Sequence, residues 1–408
     1  MNNDTDWNIC PPEILCMIFQ YLDVKELVKC MLVNKKWRAA AEYTAEYYKV
    51  WEDIIKKEMI NNGITFLDKS VLCMKDIYRN YLLWNHVGST DVNYLKTYVI
   101  QGVKKMNVYK DNLILINDSH VLYYDINTFE FIRDIDFLDE EPVNFEENDY
   151  LIVRVILEKD LTQTLYLYIK KHPDMFYLNR ISRHVIDNIR LFRLENKKCY
   201  VLSSNNVLWC FIPLNISWDV EFLARHYGSD YDELTALHIR NDNIYVVSKY
   251  GSVWYADTIY KKFVKVYQLR VPHNVMNHNW TMFETYSCVS SISDHPTERV
   301  KVYYHASVDA MMLRCVELTC ALSHGDVLIL GFKDGRVEIR IPKKYRNESE
   351  KRVREPERYF NIQQYGEQVD DPTITGLNVC EMCNHHILLV STPTHIFQFS
   401  LTYPPHLL

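Results

Sequence analysis

The segment Val121-Leu122-Tyr123-Tyr124-Asp125 is an apolar and aromatic run that ends at a turn residue, and runs like it recur along the chain. The others are Leu165-Tyr166-Leu167-Tyr168, Val207-Leu208-Trp209-Cys210-Phe211, Val253-Trp254-Tyr255-Ala256-Asp257, Val300-Lys301-Val302-Tyr303-Tyr304, Val337-Glu338-Ile339-Arg340-Ile341 and Ile396-Phe397-Gln398-Phe399. Their first residues lie 37 to 59 positions apart. Short runs rich in β-branched and aromatic residues favour β-strands.

Each recurring run follows another apolar run and a polar turn, so the repeating unit is a pair of strands. A period of roughly 40–50 residues with such pairs is typical of a β-propeller, in which one repeat forms one blade. Blades bury both faces only by stacking on their neighbours. We therefore predict a propeller over residues 91–408, seven-bladed by the count of repeats, with six or eight blades as alternatives. The segment from Tyr94 to Ile100 is predicted to supply the outer strand that closes the last blade.

Individual repeats resemble divergent WD repeats. Lys333-Asp334-Gly335-Arg336-Val337 and Gly251-Ser252-Val253 are similar to the turn and strand of that family. Tyr124-Asp125 and Ala256-Asp257 stand where the Trp-Asp dipeptide would lie, whereas the Gly-His signature is absent. The resemblance implies a WD-repeat-like propeller.

The first quarter of the chain has helical periodicity instead. Pro11 and Pro12 suit a helix start, and an apolar face follows at Ile14, Leu15, Ile18, Phe19 and Leu22. Asp23 is predicted to cap a second helix, and further helices are predicted over about residues 35–59 and 71–84. Such a short, apolar module cannot bury all its apolar surface alone. A partner or the rest of the same protein is expected to cover the remainder.

The stretch Cys10-Pro11-Pro12-Glu13-Ile14-Leu15-Cys16-Met17-Ile18-Phe19-Gln20-Tyr21-Leu22 resembles the opening of an F-box, whose pattern is L-P-x-E-[IL]-[LI]-x-x-[IL]-[FL]-x-x-L. Val33-Asn34-Lys35-Lys36-Trp37 is similar to the end of that motif. The chain departs from the pattern at Cys10, where Leu is usual, and at Asn34, where Cys or Ser is usual. Residues 71–86 resemble the linker helix that follows many F-boxes, with Met74 in place of a Trp.

The resemblance implies a substrate-recognition subunit of an SCF-type cullin-RING ubiquitin ligase, whose F-box binds the adaptor while the propeller binds a protein substrate. It implies adaptor contacts at Pro11, Ile14, Leu15, Ile18, Leu22, Leu27, Val33 and Trp37, although part of that set must hold the helices together. On this basis Leu15→Asp is expected to abolish adaptor binding and leave the propeller folded. A propeller scaffold without a ligase role is the alternative.

The predicted organisation is an α+β multidomain chain. It consists of a tail (1–9), a three-helix F-box (10–45), a helical linker (46–90) and an all-β propeller (91–408). The composition is globular, with 48% hydrophobic and 24% charged residues, and the net charge of −7 disfavours a nucleic-acid partner. The N-terminus lacks the regions of a secretory signal, and no run is long enough to span a membrane. We therefore expect no membrane partner, a cytoplasmic or nuclear location, and reduced thiols among the 11 cysteines.

No sequence motif supports catalysis or a cofactor. The chain has only 10 glycines and lacks the glycine-rich phosphate loops and the common hydrolase motifs, so a non-catalytic protein is expected. Cys380, Cys383, His385 and His386 could form a zinc site, but they lie within seven residues and alternate across a predicted turn, so no metal is predicted.

Two charged stretches are candidate sites. The insertion 343–358 is rich in basic residues; Arg346, Arg352 and Arg354 could bind an acidic or phosphorylated peptide, or the segment could be a solvated loop. The acidic stretch from Asp134 to Asp149 is predicted to be exposed and not catalytic.

Overall fold

The computed structural model describes the chain except residues 1–9, 58–72, 101, 118–119, 137–140, 159, 171–182, 215–216, 228–232, 241–242, 249–251, 269–277, 283–287, 293–298, 304–310, 315–317, 325–326, 342–355, 367–368, 383–384 and 404–408. Where strands occur between residues 278 and 314, only the backbone is described. The chain divides into two compact units, one holding residues 1–64 and 72–80 and the other holding residues 65–71 and 81–408. We call them the helical unit and the β unit.

The helices are α1 (Pro12–Phe19), α2 (Val24–Met31), α3 (Lys35–Tyr47), α4 (Val50–Ile55) and α5 (Met74–Asn85). The division between the units falls within α5, after Asn80. None of the helices in the described part of the chain is both long and apolar enough to cross a membrane.

The prediction of one continuous helix over 35–59 was wrong, because the chain turns between α3 and α4. Lys49 has φ 52°, in the left-handed region, and α4 begins directly after it. This turn lets Trp51 and Ile55 become buried, and the indole of Trp51 packs against the ring of Tyr78 at 6.2 Å. Burial of these apolar side chains therefore outweighs the cost of an unfavourable backbone conformation at Lys49.

The β unit contains antiparallel runs of four strands. They are β2 (Lys105–Tyr109), β3 (Asn112–Ile116), β4 (His120–Asp125), β5 (Phe131–Asp136); β6 (Glu141–Glu147), β7 (Leu151–Leu157), β8 (Gln163–Ile169), β9 (Arg183–Ile186); β10 (Ile189–Glu195), β11 (Lys198–Ser203), β12 (Val207–Pro213), β13 (Trp218–Arg225); β14 (Leu234–Arg240), β15 (Asn243–Ser248), β16 (Ser252–Asp257), β17 (Lys262–Gln268); β18 (His278–Met282), β19 (Cys288–Ile292), β20 (Arg299–Tyr303), β21 (Met311–Arg314); β22 (Leu318–His324), β23 (Val327–Phe332), β24 (Arg336–Arg340), β25 (Arg358–Asn361); and β26 (Gly376–Glu381), β27 (His385–Ser391), β28 (His395–Thr402) with β1 (Asp91–Val99).

Among the described residues these runs form six sheets. Five sheets have four strands, and the sixth has eight because one parallel bridge, Arg225 to Lys262, joins β13 to β17. The recurring sequence segments fall on β4, β8, β12, β16, β20, β24 and β28, which is the third strand of each run. The sequence repeat therefore has its counterpart in a propeller-like arrangement of sheets.

The strand β1 pairs antiparallel with β28, from Asp91 opposite Thr402 to Val99 opposite His395. It is the outermost strand of the sheet that contains β26 and β27. This confirms the prediction that an N-terminal segment supplies the outer strand of the last run.

The apolar core lies between consecutive sheets, because the strands bury side chains on both faces. In β3, Leu113 and Leu115 pack in a cluster with Leu389 of β27, whereas Ile114 and Ile116 pack with Ile152 of the next run. Successive side chains of a strand point to opposite faces, so one strand contributes to two core clusters. Stacking of neighbouring sheets thus gives the β unit its core.

The first strands of neighbouring runs are also joined by side-chain amides. Asn378 Nδ2 in β26 donates to the carbonyl of Met106 in β2 at 2.6 Å, and Asn107 in β2 donates to the carbonyl of Phe145 in β6. Each side-chain amide donates to a backbone carbonyl of the next run and so links the two runs.

The last turn of α5 contributes Trp84 to the interior of the β unit. The indole Nε1 donates to Glu381 Oε1 at 2.8 Å, and the same carboxylate oxygen lies 2.7 Å from His324 Nε2. The indole also belongs to the apolar cluster of the β22–β25 and β26–β28 runs. Trp84, which the sequence places in the predicted helical linker (46–90), is thus part of the β core.

Candidate functional site

Helix α1 carries apolar side chains on two sides. Leu15 and Phe19 are spaced i and i+4 and are buried, at 1% and 2% exposure. Ile14 and Ile18 of the helix and Tyr21 in the turn after it follow a second line and are exposed, and Met17 lies beside them at 60% exposure. A helix of a self-sufficient unit keeps polar residues on its outer side. The exposed line of α1, which we call the α1 stripe (Ile14, Met17, Ile18, Tyr21), therefore fits a surface that another protein covers.

The same division continues in α2 and the connection to α3. Leu27 and Met31 are buried, whereas Val28, Leu32 and Val33 are exposed, Leu32 at 74%. The start of α2 is fixed by a capping box, in which Asp23 Oδ1 accepts from the Glu26 amide at 2.8 Å and Glu26 Oε2 accepts from the Asp23 amide at 3.2 Å. The predicted cap at Asp23 is thereby confirmed, and it sets where the apolar residues of α2 face.

Helix α3 holds α1 in place. The Asn34 side chain accepts from the Trp37 amide at 2.9 Å and so begins the helix. The Trp37 ring then lies 5.3 Å from that of Phe19, and the Cys16 thiol contacts the Ala40 carbonyl at 3.6 Å. Asn34, which departs from the F-box pattern, thus serves as a helix cap, a role that suits Asn as well as Ser.

The structure separates the eight predicted adaptor-contact residues by burial. Pro11, Ile14, Ile18 and Val33 are exposed, Leu22 and Trp37 are partly buried, and Leu15 and Leu27 are buried inside the helical unit. The exposed Met17, Tyr21 and Leu32 were not in the predicted set. Their helical spacing from Ile14 and Val28 is the signal that could have found them.

Burial changes what the variant Leu15→Asp would report. Because Leu15 is 1% exposed, an aspartate there would place an unpaired charge in the interior of the helical unit. Loss of adaptor binding would then follow from unfolding of that unit. Substitutions in the α1 stripe are the informative ones.

The predicted cysteine and histidine cluster is divided between the two faces of a sheet. Cys380 lies opposite Ile387 and is buried with Met106 and Leu389, whereas Glu381 lies opposite His386 on the other face. His386 Nδ1 is 2.8 Å from the Tyr403 hydroxyl. Burial raises the pKa of the Cys380 thiol to about 12, which disfavours the thiolate that a metal needs.

Cys383 lies outside the described residues, as do Arg346, Arg352 and Arg354 of the basic insertion. Within the described ranges, no three His, Cys, Asp or Glu side chains are placed to hold a metal ion.

The prediction that the acidic stretch is exposed was wrong for Glu147 and Asp149. The side chain of Glu147 is 4% exposed, and its Oε1 lies 3.1 Å from Lys170 Nζ, which is 2% exposed. The Tyr123 hydroxyl donates to Glu147 Oε2, and Lys110 Nζ lies 2.7 Å from Asp149 Oδ1. Burial beside Glu147 also raises the pKa of Tyr123. Contacts of these carboxylates with Tyr123 and Lys110 therefore join the first two strand runs. The ammonium groups of Lys170 and Lys110 balance their negative charge.

A family model described as F-box-like matches residues 7–51. The chain carries an F-box-like domain at its N-terminus. Such a domain implies binding to the adaptor of an SCF-type ligase and, through it, to the cullin complex, and F-box proteins are generally non-catalytic substrate receptors. The α1 stripe lies within this F-box-like domain.

No curated protein matches the chain. Among solved structures the chain is similar to the computationally designed Ika8 protein, with a TM-score of 0.47 and 14% identity over 76% of this chain and 98% of that one. At those values the similarity supports no inference about this chain.

Proposed function

We propose that this chain is a substrate-recognition subunit of an SCF-type cullin-RING ubiquitin ligase. The F-box-like domain would bind the adaptor, and the β unit would hold a protein substrate near the ubiquitin-conjugating enzyme. The chain itself would catalyse no covalent step. It would hold the substrate close to, and correctly oriented for, a reaction carried out by other subunits. We place this activity in the cytoplasm, the nucleus or both.

The α1 stripe carries the proposal. Helix α1 buries Leu15 and Phe19 in its own unit, yet the helix and the turn after it expose four large apolar or aromatic side chains. Fully burying one such side chain contributes about 1.5–3 kcal/mol. An adaptor that covers this surface, together with Leu32 and Val33, would therefore gain a substantial binding free energy.

The β unit would act as a seven-bladed, WD-repeat-like propeller. Its eight-stranded sheet counts as two blades joined by the single bridge from Arg225 to Lys262, which brings the number of four-stranded runs to seven. Asp125 and Asp257 support the WD-like reading, because each caps the turn after a third strand: their Oδ1 atoms accept from the amides of Thr128 and Tyr260. Propellers present large loop surfaces on which a protein substrate can dock.

The decisive experiment is capture of a purified adaptor–cullin complex by the full-length chain. The double variant Met17→Asp/Ile18→Asp is expected to weaken capture at least about tenfold, since two apolar contacts would be replaced by unpaired charges. The matched control is Tyr43→Asp/Tyr47→Asp, which changes two exposed residues of α3 in the same unit.

Circular dichroism of both variants would verify that the helices remain folded. Equal capture by the wild-type chain and the α1 variant would refute the assignment of the stripe. Absence of capture by a folded wild-type chain would refute the ligase proposal, and a propeller scaffold would then be the better description.

A further inference from the structure

Among the described residues, the strand β17 is paired along one side and has a single strand pairing on the other. It pairs with β16 from Lys262 opposite Asp257 to Gln268 opposite Ser252, with a register shift that leaves Val266 without an opposite residue in β16. On its other side, its only strand pairing among the described residues is the single bridge to β13 at Lys262. Beyond that bridge, the backbone groups that point away from β16 have no strand partner in the described part of the chain. A row of such donors and acceptors is a template on which an extended peptide can pair.

Some of the side chains exposed along this edge are apolar. Val264 and Val266 are exposed at 41% and 48%, and Ile259 and Tyr260, in the turn that leads into β17, are exposed at 84% and 72%. Four large apolar side chains within eight residues are more than a solvated edge strand needs.

The charges of this edge have one sign. Lys262 and Lys265 are exposed, and their Nζ atoms lie 5.6 Å and 5.8 Å from the ring centroids of Tyr260 and Trp254. Within the described ranges neither lysine forms an ion pair, whereas the neighbouring Lys261 pairs with Glu221 at 3.1 Å. No carboxylate occurs from Lys261 to Gln268. A negatively charged ligand would therefore be attracted to the ammonium groups of Lys262 and Lys265, which form no ion pair among the described residues.

We infer that the β17 edge (Lys262–Gln268) binds an extended acidic peptide segment of a partner protein, which adds as a strand to β17. Its apolar side chains would contact Val264 and Val266, and its carboxylates would lie beside Lys262 and Lys265. The inference deepens the substrate-binding part of the proposed function. Its test does not involve the adaptor, so the two proposals can fail separately.

The outer strands β13 and β5 do not offer the same combination. The outer strand β13 exposes Val220, but Asp219 and Glu221 flank that residue. The outer strand β5 exposes Phe131 and Ile132, but it carries Asp134 and Asp136. An acidic peptide would be repelled at both of these edges.

The probe is a fluorescein-labelled synthetic peptide in which valine alternates with glutamate, titrated with the full-length chain and followed by fluorescence anisotropy. A peptide with lysine in place of glutamate is the matched probe of opposite charge. We expect the glutamate peptide to bind more tightly, and the variant Lys262→Glu/Lys265→Glu to bind it at least about tenfold more weakly, with a strong dependence on ionic strength. The control variant Lys56→Glu/Lys57→Glu makes the same charge change in the helical unit and is expected to bind like the wild type.

Hydrogen exchange separates strand addition from charge attraction alone. The glutamate peptide is expected to slow exchange of β17 amides while those of β13 are unchanged. Three results would overturn the inference: no binding by the wild-type chain, equal binding by both lysine variants, or binding without protection of β17. The inference would also be overturned if single-stranded RNA displaced the glutamate peptide from Lys262 and Lys265 without slowing exchange of the β17 amides.

Discussion

The indole ring of Trp84 lies parallel to the imidazole ring of His386, with the ring centroids 4.5 Å apart and the planes inclined by 9°. A helix residue is thereby stacked on a side chain that lies about 300 positions later in the sequence. The β unit thus includes the end of α5 as well as its strands. Any fragment meant to represent the β unit should begin before Trp84.

The variant Trp84→Ala is expected to destabilise the β unit by about 3–5 kcal/mol, because it removes a buried ring and leaves a cavity beside His386. The variant Trp84→Phe keeps an aromatic ring but removes the donor to Glu381, and about 1–3 kcal/mol should be lost. Urea unfolding of the full-length chain measures both changes. Tyr227→Ala, at an exposed position, is the control, and a loss there as large as that of Trp84→Ala would contradict the role given to the buried indole.

Two ion pairs of equal length offer a matched test of burial. Lys170 to Glu147 and Lys261 to Glu221 both measure 3.1 Å, but the first pair is buried and the second is 41% and 52% exposed. Lys170→Met is expected to cost about 3 kcal/mol, since it removes the nearest cation from the buried Glu147 carboxylate and leaves it with the Tyr123 hydroxyl and the Arg133 guanidinium, the latter 3.9 Å away.

Lys261→Met should change the free energy of unfolding by less than about 1 kcal/mol, because solvent screens an exposed pair. Urea denaturation at constant salt gives both values. Similar costs for the two variants would show that burial does not control the contribution of these pairs.

The capping box of α2 makes a local prediction. Asp23→Ala removes the side chain that accepts from the Glu26 amide and should cost about 0.5–2 kcal/mol of helical-unit stability. Asp23→Asn retains an acceptor and should recover most of that loss. Thermal unfolding followed by far-ultraviolet circular dichroism tests the order wild type, Asn, Ala; an Asn variant as unstable as the Ala variant would argue against the cap.

Burial of the Cys380 thiol predicts a dependence of stability on pH. Its pKa is about 12 in the folded chain, against 9.0 for an unperturbed thiol. Below pH of about 9 the thiol is protonated in both states, so the contribution of Cys380 to stability is complete. As the pH rises above that value, the unfolded thiol ionises and the folded one does not, so stability falls, by up to about 1.4 kcal/mol per pH unit.

The measurement for Cys380 is urea denaturation of the wild type and of Cys380→Ala across this alkaline range. The wild-type free energy of unfolding should fall more steeply than that of the variant, which has no thiol to ionise at this position. Parallel curves for the two proteins would contradict the inferred burial of the protonated thiol.

The repeat was predictable from sequence because a strand that buries both faces needs a compact run of apolar residues, and each third strand has one. The start of α2 was predictable because capping depends on residues three positions apart, Asp23 and Glu26. Both signals depend on residues close together in sequence, and the folded structure contains the strands and the helix cap that they predict.

What escaped prediction depends on contacts between residues far apart in sequence. Lys49 is neither glycine nor asparagine, and its left-handed conformation follows from the burial of Trp51 against Tyr78. Glu147 was expected at the surface because nothing near it in sequence identifies Lys170 as its partner. On α1 every candidate was apolar, so hydrophobicity alone could not separate Leu15 in the interior from Met17 in the α1 stripe.

The pairing of β1 with β28 has a consequence for biosynthesis. Asp91 and Thr402 are separated by 311 positions, so a ribosome adding about 5–20 residues per second makes β1 wait roughly 15 to 60 seconds for its partner. Until then the sheet of β26 and β27 cannot be completed, and β1 remains available to chaperones. A chain that ends before β28 would never complete this sheet. Only a chain synthesised through β28 can therefore form the pair of β1 and β28.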